Sequence, residues 1–285
     1  LLIKSEEKMR MNYDKKLKDI KYIFYSKQTT MLLSINEKTK RDIFISLLQL
    51  LKAATSNVTI IFLEDHAYIQ GMDSSHVCLF DARIYNIWFD KYEICEDDAK
   101  NICVNSQILH SILSMAQEQD SITLHYEGES DSLEIDLTNA KGEFNKYFKV
   151  PLIDMESDLL EIPSVEYDVE FSIKAKKMNE LISQLATFGD VININCSEEK
   201  IDLISKGDGG EMLVNIPIDD LSEFSISEGQ IIDISYSLNY INKMCITTKL
   251  APEIEWSISA DIPLKIKYDL GDNSSVMFFI APKIE

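Results

Sequence analysis

Apolar and polar positions along this chain change period in a fixed order. Met31, Leu33 and Ile35 alternate with more polar neighbours, which predicts a strand, and Phe44, Leu47, Leu48 and Leu51 then recur at helical spacing. Strand-like runs follow at 58–63, 67–71 and 76–82. The order returns with a helix carrying Leu109, Ile112, Leu113 and Ala116 and runs near 121–126, 133–138 and 144–150. A third helix carries Met178, Leu181, Ile182 and Leu185, followed by runs near 191–195, 200–205 and 211–217. A fourth, with a weaker stripe, carries Leu238, Ile241 and Cys245 ahead of runs near 253–259, 264–269 and 275–280. Helix plus three strands thus occurs four times at a spacing of roughly 60 to 70 residues, a repeat of pattern and not of residue identity. One helix covers only part of a sheet, so two units together predict an antiparallel α+β layer with two helices on one face.

The stretch 150–167 interrupts this order near the middle. Pro151 and Pro163 bracket it and neither can donate to a strand ladder, so it reads as a connector and not as an interior strand. Leu152, Ile153, Leu159, Leu160 and Ile162 need apolar surface to lie against, which sets it apart from a flexible Gly/Ser linker. The chain therefore divides into a basic N-terminal extension at 1–30, a first domain at 31–151, a connector at 152–167 and a second domain at 168–285. In the extension, Lys4, Lys8, Arg10, Lys15, Lys16, Lys18, Lys21 and Lys27 face four acids, and Met9, Tyr13, Leu17, Ile20 and Phe24 share one helical face. It reads as an appended surface helix packed on the body, or as a nucleic-acid-binding arm.

Composition sets the compartment. No apolar run is long enough to span a membrane, nothing at the start resembles a signal peptide, and the expectation is a soluble intracellular protein. Cys78, Cys95, Cys103, Cys196 and Cys245 form no C-x-x-C pair, which suits a reducing compartment and argues against structural zinc. The formal charge of −20 looks unfavourable for nucleic acid. Its distribution reverses that inference. The helix windows 41–54, 105–117, 176–188 and 236–248 hold only Asp42 and Glu180 as acids, against Arg41, Lys52, Lys176, Lys177 and Lys243. Glu is a good helix former, so its scarcity there is a selection. A surface that excludes carboxylates suits the passage of a polyanion, and small polar residues packing the helices side by side would leave the same composition.

Catalytic chemistry finds no constellation. His66, His76, His110 and His125 lack ligand spacing, and Asp73-Ser74-Ser75-His76 is not a nucleophile elbow. Gly207-Asp208-Gly209-Gly210 lacks the Lys-Ser/Thr of a phosphate loop and reads as a hairpin turn, and Glu96-Asp97-Asp98 reads as a solvated turn. The expectation is a protein that is not an enzyme and holds neither cofactor nor metal.

Particular motifs narrow the reading further. Gln70-Gly71-Met72-Asp73-Ser74-Ser75-His76-Val77, Ile162-Pro163 before Glu166-Tyr167, Phe188-Gly189-Asp190, Ile258-Ser259-Ala260-Asp261-Ile262-Pro263-Leu264 and the closing Ala281-Pro282-Lys283-Ile284-Glu285 stand in order. Over about 31–285 the chain resembles the proliferating cell nuclear antigen family of DNA sliding clamps, as a divergent member. Its richness in Ile, Lys, Asn and Asp fits an A·T-rich genome such as that of a large virus or a protist. The resemblance implies the DNA clamp fold, two similar domains each with antiparallel sheets outside and two helices on the inner face. It also implies three chains closing head to tail into a homotrimeric ring around duplex DNA. The implied function is that of a DNA polymerase processivity factor, acting in the nucleus or at a cytoplasmic replication site if viral, with polymerase, clamp loader, nuclease and ligase peptides as partners in replication and repair.

Carried over by the resemblance, the partner-peptide slot comprises Met72, His76, Val77, Leu79, Leu160, Ile162, Pro263, Phe279, Ala281, Pro282 and Ile284. The DNA-facing set is Arg41, Lys52, Lys176, Lys177 and Lys243. Ring closure falls to edge strands near 143–150 and 210–217. Ile45, Ser46, Ser111, Ser114, Glu180 and Ser183 stand where the family usually has bases, and Glu198 stands where it has a modifiable lysine. These departures keep a second reading in view, a monomeric or heterotrimeric clamp-like subunit such as a viral processivity factor or a checkpoint-type clamp.

Overall fold

The computed structural model describes residues 29–94, 100–128, 130–139, 141, 144–155 and 159–283. The extension at 1–28, the acidic run Glu96-Asp97-Asp98, Cys95 and Ile284 lie outside the described residues. The first half runs β1 (Thr29–Ile35), α1 (Lys38–Ala54), β2 (Asn57–Phe62), β3 (His66–Met72), β4 (Cys78–Tyr85) and a short β5 (Lys91–Ile94). It continues with β6 (Lys100–Asn105), α2 (Ser106–Leu113), β7 (Asp120–Glu127), β8 (Ser132–Asn139) and β9 (Lys146–Pro151). The second half repeats the order with β10 (Val169–Lys174), α3 (Ala175–Leu185), β11 (Val191–Cys196), β12 (Lys200–Gly207), β13 (Gly210–Pro217) and β14 (Glu223–Ile226). It closes with β15 (Ile232–Ser237), α4 (Leu238–Met244), β16 (Glu253–Ile258), β17 (Leu264–Gly271) and β18 (Ser274–Ile280).

Each repeat is therefore a strand, a helix and three strands, with a short further strand, β5 or β14, after the first and third repeats. The periodicity finds the four helices and the three strands after each, and misses β5 and β14 as well as β6, β10 and β15, which lead straight into helices through a single cap residue. At α2 that cap is Asn105, whose side chain accepts from the Ile108 amide at 2.9 Å, satisfying one of the orphan donors of a helix start. Ala116, assigned to the second helix by its spacing, lies beyond it. The chain tightens after Leu113, where the Met115 and Ala116 amides reach back to the Ile112 and Leu113 carbonyls. Cys245 likewise caps α4 from just outside.

All strand pairing is antiparallel, and the strands form three sheets. β5-β1-β7-β8-β9 make a five-stranded sheet, and β13-β12-β11-β15 a four-stranded one. The other nine strands form one sheet in the order β14-β10-β16-β17-β18-β4-β3-β2-β6, which runs continuously from one half into the other. The seam is β18 against β4, with Phe279 opposite Leu79 and Ser275 opposite Arg83. Trp88 bolts it from the side, its buried indole donating to the Leu270 carbonyl at 2.9 Å. Lys40 at the start of α1 reaches both the Trp88 carbonyl and Asp272.

One face of each sheet carries the helices. Phe44, Leu47, Leu48 and Leu51 of α1, Leu109 and Leu113 of α2, Met178 and Ile182 of α3, and Leu238 and Ile241 of α4 are all buried against it. The helices also touch one another in the order α2–α1–α4–α3, so the four make one uninterrupted row across both halves. Cys78, Cys103, Cys196 and Cys245 are buried and free.

Candidate functional site

Two surfaces carry candidate chemistry, and the helix row is the first. Its four helices hold seven cations, Lys38, Lys40, Arg41, Lys52, Lys176, Lys177 and Lys243, against Asp42 and Glu180. Not all of them are available. Arg41 is buried at 3% exposure, and its guanidinium donates to the Gln117 and Glu118 carbonyls at 3.3 and 2.5 Å, pinning the turn after α2. Its assignment to the DNA-facing set is therefore corrected: the residue sits on the apolar stripe three positions before Phe44 and acts as a structural tie.

Lys52 is half-buried and donates to His110 Nδ1 at 3.0 Å, which leaves the ring proton on Nε2, beside Ser114 Oγ at 3.3 Å. Burial first, and the Lys52 charge second, push the His110 pKa below its ordinary value. Lys177 pairs with Asp220 at 2.8 Å. Lys176 is exposed, and the Lys243 ammonium lies 5.5 Å from the Tyr240 ring centroid. Lys249 joins this surface, lining a cleft with Asp42, Ile45, Gln49, His110 and Ser114. The charge census along the chain stops one residue short of it.

The second surface lies around the β18–β4 seam. Met72 on β3, Leu79 on β4 and Phe279 on β18 are directly opposite one another, so three half-buried apolar side chains form a row on one sheet face. On the other face Gly71 lies opposite Phe80, whose ring occupies the space a side chain at 71 would need, and this close approach makes the Gly in Gln70-Gly71-Met72 obligatory. The tail extends the row. The Ala281 amide donates to the Val77 carbonyl at 2.9 Å, Pro282 bridges to Tyr236, and the Lys283 amide donates to the Ser235 carbonyl at 2.8 Å. Pro263 directly precedes Leu264, which faces Ile280, so it stands at the same end. Val77, Ala281 and Pro282 are half-buried and His76 is exposed.

The 73–77 turn that frames this row is folded around Asp73. Its carboxylate accepts from the Ser75, Val77 and Cys78 amides at 2.8, 2.8 and 2.7 Å and from the Tyr240 hydroxyl at 2.8 Å. Burial works to raise its pKa, yet these donors outweigh it and hold the carboxyl below its ordinary value. His76 takes φ of 58°, in the left-handed region.

The connector crosses the same sheet face. Gln70 holds it by both ends of its amide, donating to the Leu160 carbonyl at 2.8 Å and accepting from the Leu160 amide at 2.7 Å. Leu159, Leu160, Glu161 and Ile162 then roof a cleft floored by His66, Tyr68, Asp81 and Arg83. Leu160 remains 46% exposed and Ile162 half-buried. Sequence spacing does not single out Gln70 or the pairing of Asp73 with Tyr240, because the partners stand 90 and 167 positions apart along the chain, respectively.

The sheet edges complete the surface. Among the described residues β9 pairs only with β8 and β13 only with β12, and each free edge shows large apolar groups: Tyr147 at 65% and Phe144 at 85% exposure by the first, Leu213 at 60% on the second. Among the described residues no group of three His, Cys, Asp or Glu side chains is arranged to hold a metal ion, and no helix is long and apolar enough to cross a membrane.

Comparison with known proteins fixes the family. The description "Proliferating cell nuclear antigen, N-terminal domain" matches residues 36–160, and its C-terminal counterpart matches 161–283. The chain belongs to the proliferating cell nuclear antigen family. It is a DNA sliding clamp of DNA replication. A relative, proliferating cell nuclear antigen of Caenorhabditis elegans, is 28% identical over 223 residues, which span 76% of this chain and 84% of that protein. The crystal structure of the Thermococcus kodakaraensis proliferating cell nuclear antigen shares the fold with a TM-score of 0.79 at 24% identity, covering 89% of this chain and 100% of that one. Clamp architecture accounts for the uninterrupted helix row and for the sheets left with open edges.

Proposed function

We propose that this clamp is a DNA polymerase processivity factor, not an enzyme, which encircles duplex DNA as a homotrimer and recruits replication and repair proteins through the slot beside the connector. The observation that carries the reading is an equivalence between edges. β18 ends the second half as β9 ends the first, and β4 and β13 are the matching strands of the two halves. Within the chain β18 pairs with β4, so β9 and β13 are the same two edges left open. Pairing β9 of one chain with β13 of the next repeats the internal seam, and a head-to-tail contact of that kind makes a ring if it closes. Lys146 and Lys149 on β9 against Glu211 on β13 favour unlike over like edges.

In such a ring the helix row lines the hole. Lys52, Lys176, Lys177, Lys243 and Lys249 supply sequence-independent phosphate contacts, and the acidic remainder of the chain opposes binding anywhere else. Weak contacts suffice, because the closed ring supplies the residence time. The slot at Met72, Leu79, Phe279 and Pro282 takes peptide segments with apolar anchors, which fits half-buried apolar side chains with area still to cover. Residues 31–151 and 168–285 are the two clamp domains, 152–167 the connector, and the site of action is the nucleus or a viral replication site. Light scattering at low micromolar concentration and moderate salt tests the ring. We expect a mass near three chains, falling to one chain in Leu213→Lys, and a single-chain mass for the unaltered protein would overturn the reading.

A further inference from the structure

The turn that frames the slot depends on a residue from the opposite half of the chain. Asp73 is 6% exposed, and its Oδ1 is taken by the Val77 and Cys78 amides. Its Oδ2 is shared between the Ser75 amide and the Tyr240 hydroxyl. Two of these four donors, the Ser75 and Val77 amides, belong to the turn itself and can follow the carboxylate if it swings, while the Cys78 amide opens β4. Tyr240 cannot follow. It projects from α4, whose Leu238 and Ile241 are fixed in the core, so its hydroxyl is the tie from the second half of the chain that, with the Cys78 amide of β4, sets how Asp73 stands. The turn needs such a tie, because His76 is held at φ of 58°, a conformation that a residue with a side chain adopts only where its surroundings impose it. Val77, immediately after, presents its side chain to the slot and its carbonyl to the Ala281 amide, so a shift at Asp73 carries into both walls of the slot.

We propose that Tyr240 is a positioning residue for the partner slot: through its hydrogen bond to Asp73 it fixes the 73–77 turn, and so places His76 and Val77 for the incoming peptide. The inference rests on reading the Met72–Leu79–Phe279 row as that slot. It also makes a helix of the DNA-facing row part of the partner site, since Lys243, one turn on from Tyr240, lies over the same ring.

The test is fluorescence anisotropy with a labelled synthetic peptide bearing one aliphatic and two aromatic anchors, on the full-length protein. Ile162→Glu is the control for the slot itself. If it leaves peptide affinity intact, the slot reading fails and with it the ground for the inference. If it abolishes binding, Tyr240→Phe is expected to weaken the peptide about 10-fold, from the loss of one hydrogen bond to a charged acceptor, with native mass unchanged and Tm lowered by a few degrees at most. A dissociation constant within twofold of the original would overturn the proposal. Asp73→Asn provides an arm independent of how the Phe variant folds, with an expected loss at least as large. In the double variant, Tyr240→Phe should add nothing to Asp73→Asn, because Tyr240 acts through that carboxylate. Additive losses would show that Tyr240 reaches the peptide by another route, and would refute the positioning role.

Discussion

Replacing Gln70 by Met keeps the length of the side chain and removes both hydrogen bonds that clip the connector to the sheet. Near its start the connector is held by the Leu152 and Ile153 amides, which donate to the Asp131 and Cys103 carbonyls. At its far end the Asp168 amide donates to Ser259 and the Tyr167 hydroxyl approaches the Pro263 carbonyl. Between these ends Gln70 makes the only hydrogen bonds to the connector among the described residues. Each contributes about 1 kcal/mol net, because Leu160 is exposed enough for water to replace the lost partner and the full cost of an orphaned group does not arise. Together they amount to about 2 kcal/mol, or roughly a 30-fold rise in the opening constant of the segment around Leu160. Amide hydrogen exchange read by mass spectrometry on connector peptides measures that ratio directly. Global stability should move little, since among the described residues the connector contributes only the edge contacts of Leu152 to the core. Gln70→Glu should open the segment at least as far: it turns an oxygen toward the Leu160 carbonyl and sets a carboxylate directly opposite Asp81 on the neighbouring strand. Exchange within threefold of the original in both variants would refute the clip and leave the apolar contacts of Leu159 and Ile162 as the hold.

Arg41→Met should lower Tm by several degrees through loss of charged hydrogen bonds costing about 1.5–3 kcal/mol, while duplex affinity stays unchanged. Lys176→Ala should do the reverse, leaving Tm alone and lowering the salt slope of duplex binding by about one, since one phosphate neighbour fewer releases about one counterion fewer. Duplex titrations at several salt concentrations separate the two variants. Asp120 gives a pH signature. Burial acts to raise its pKa, but the Gln117 amide, Asn139 and Lys146 hold it below the ordinary value of 3.8. Its contribution is therefore complete above about pH 3.8 and is lost as pH falls through the lower folded value. Urea unfolding should find Asp120→Asn less stable than the original protein at pH 7, with the gap closing toward pH 2, and a constant gap would contradict the assignment.

What the chain discloses about itself divides by distance along it. Helical stripes are local, and the burial of Phe44, Leu48, Leu109, Met178 and Ile241 follows from spacing alone. The same spacing places Arg41 on the buried stripe, three residues before Phe44. A count of charge by window discards that phase, which is why Arg41 reads as DNA-facing in a census and is a structural tie in the fold. Phase also recovers the open face of α1, since Asp42, Ile45 and Gln49 recur at helical spacing and line one cleft with His110 and Lys249. β10 is equally legible, with Val169, Phe171 and Ile173 alternating, but it enters α3 without the Gly or Pro that normally marks a boundary.

The slot is of another kind. Its apolar row is set by register across β3, β4 and β18, its turn by a hydroxyl 167 positions away, and its connector by an amide 90 positions away. No periodicity encodes such pairings, so they enter the sequence reading only as motifs carried over from a resemblance. The ring edges lie between these cases. Nothing local marks β9 and β13 as open, yet once the halves are seen to repeat, the pairing of β18 with β4 defines what the two open strands lack. A repeated unit thus makes a contact within one chain into a template for the contact between chains, and that inference needs the topology but no partner coordinates.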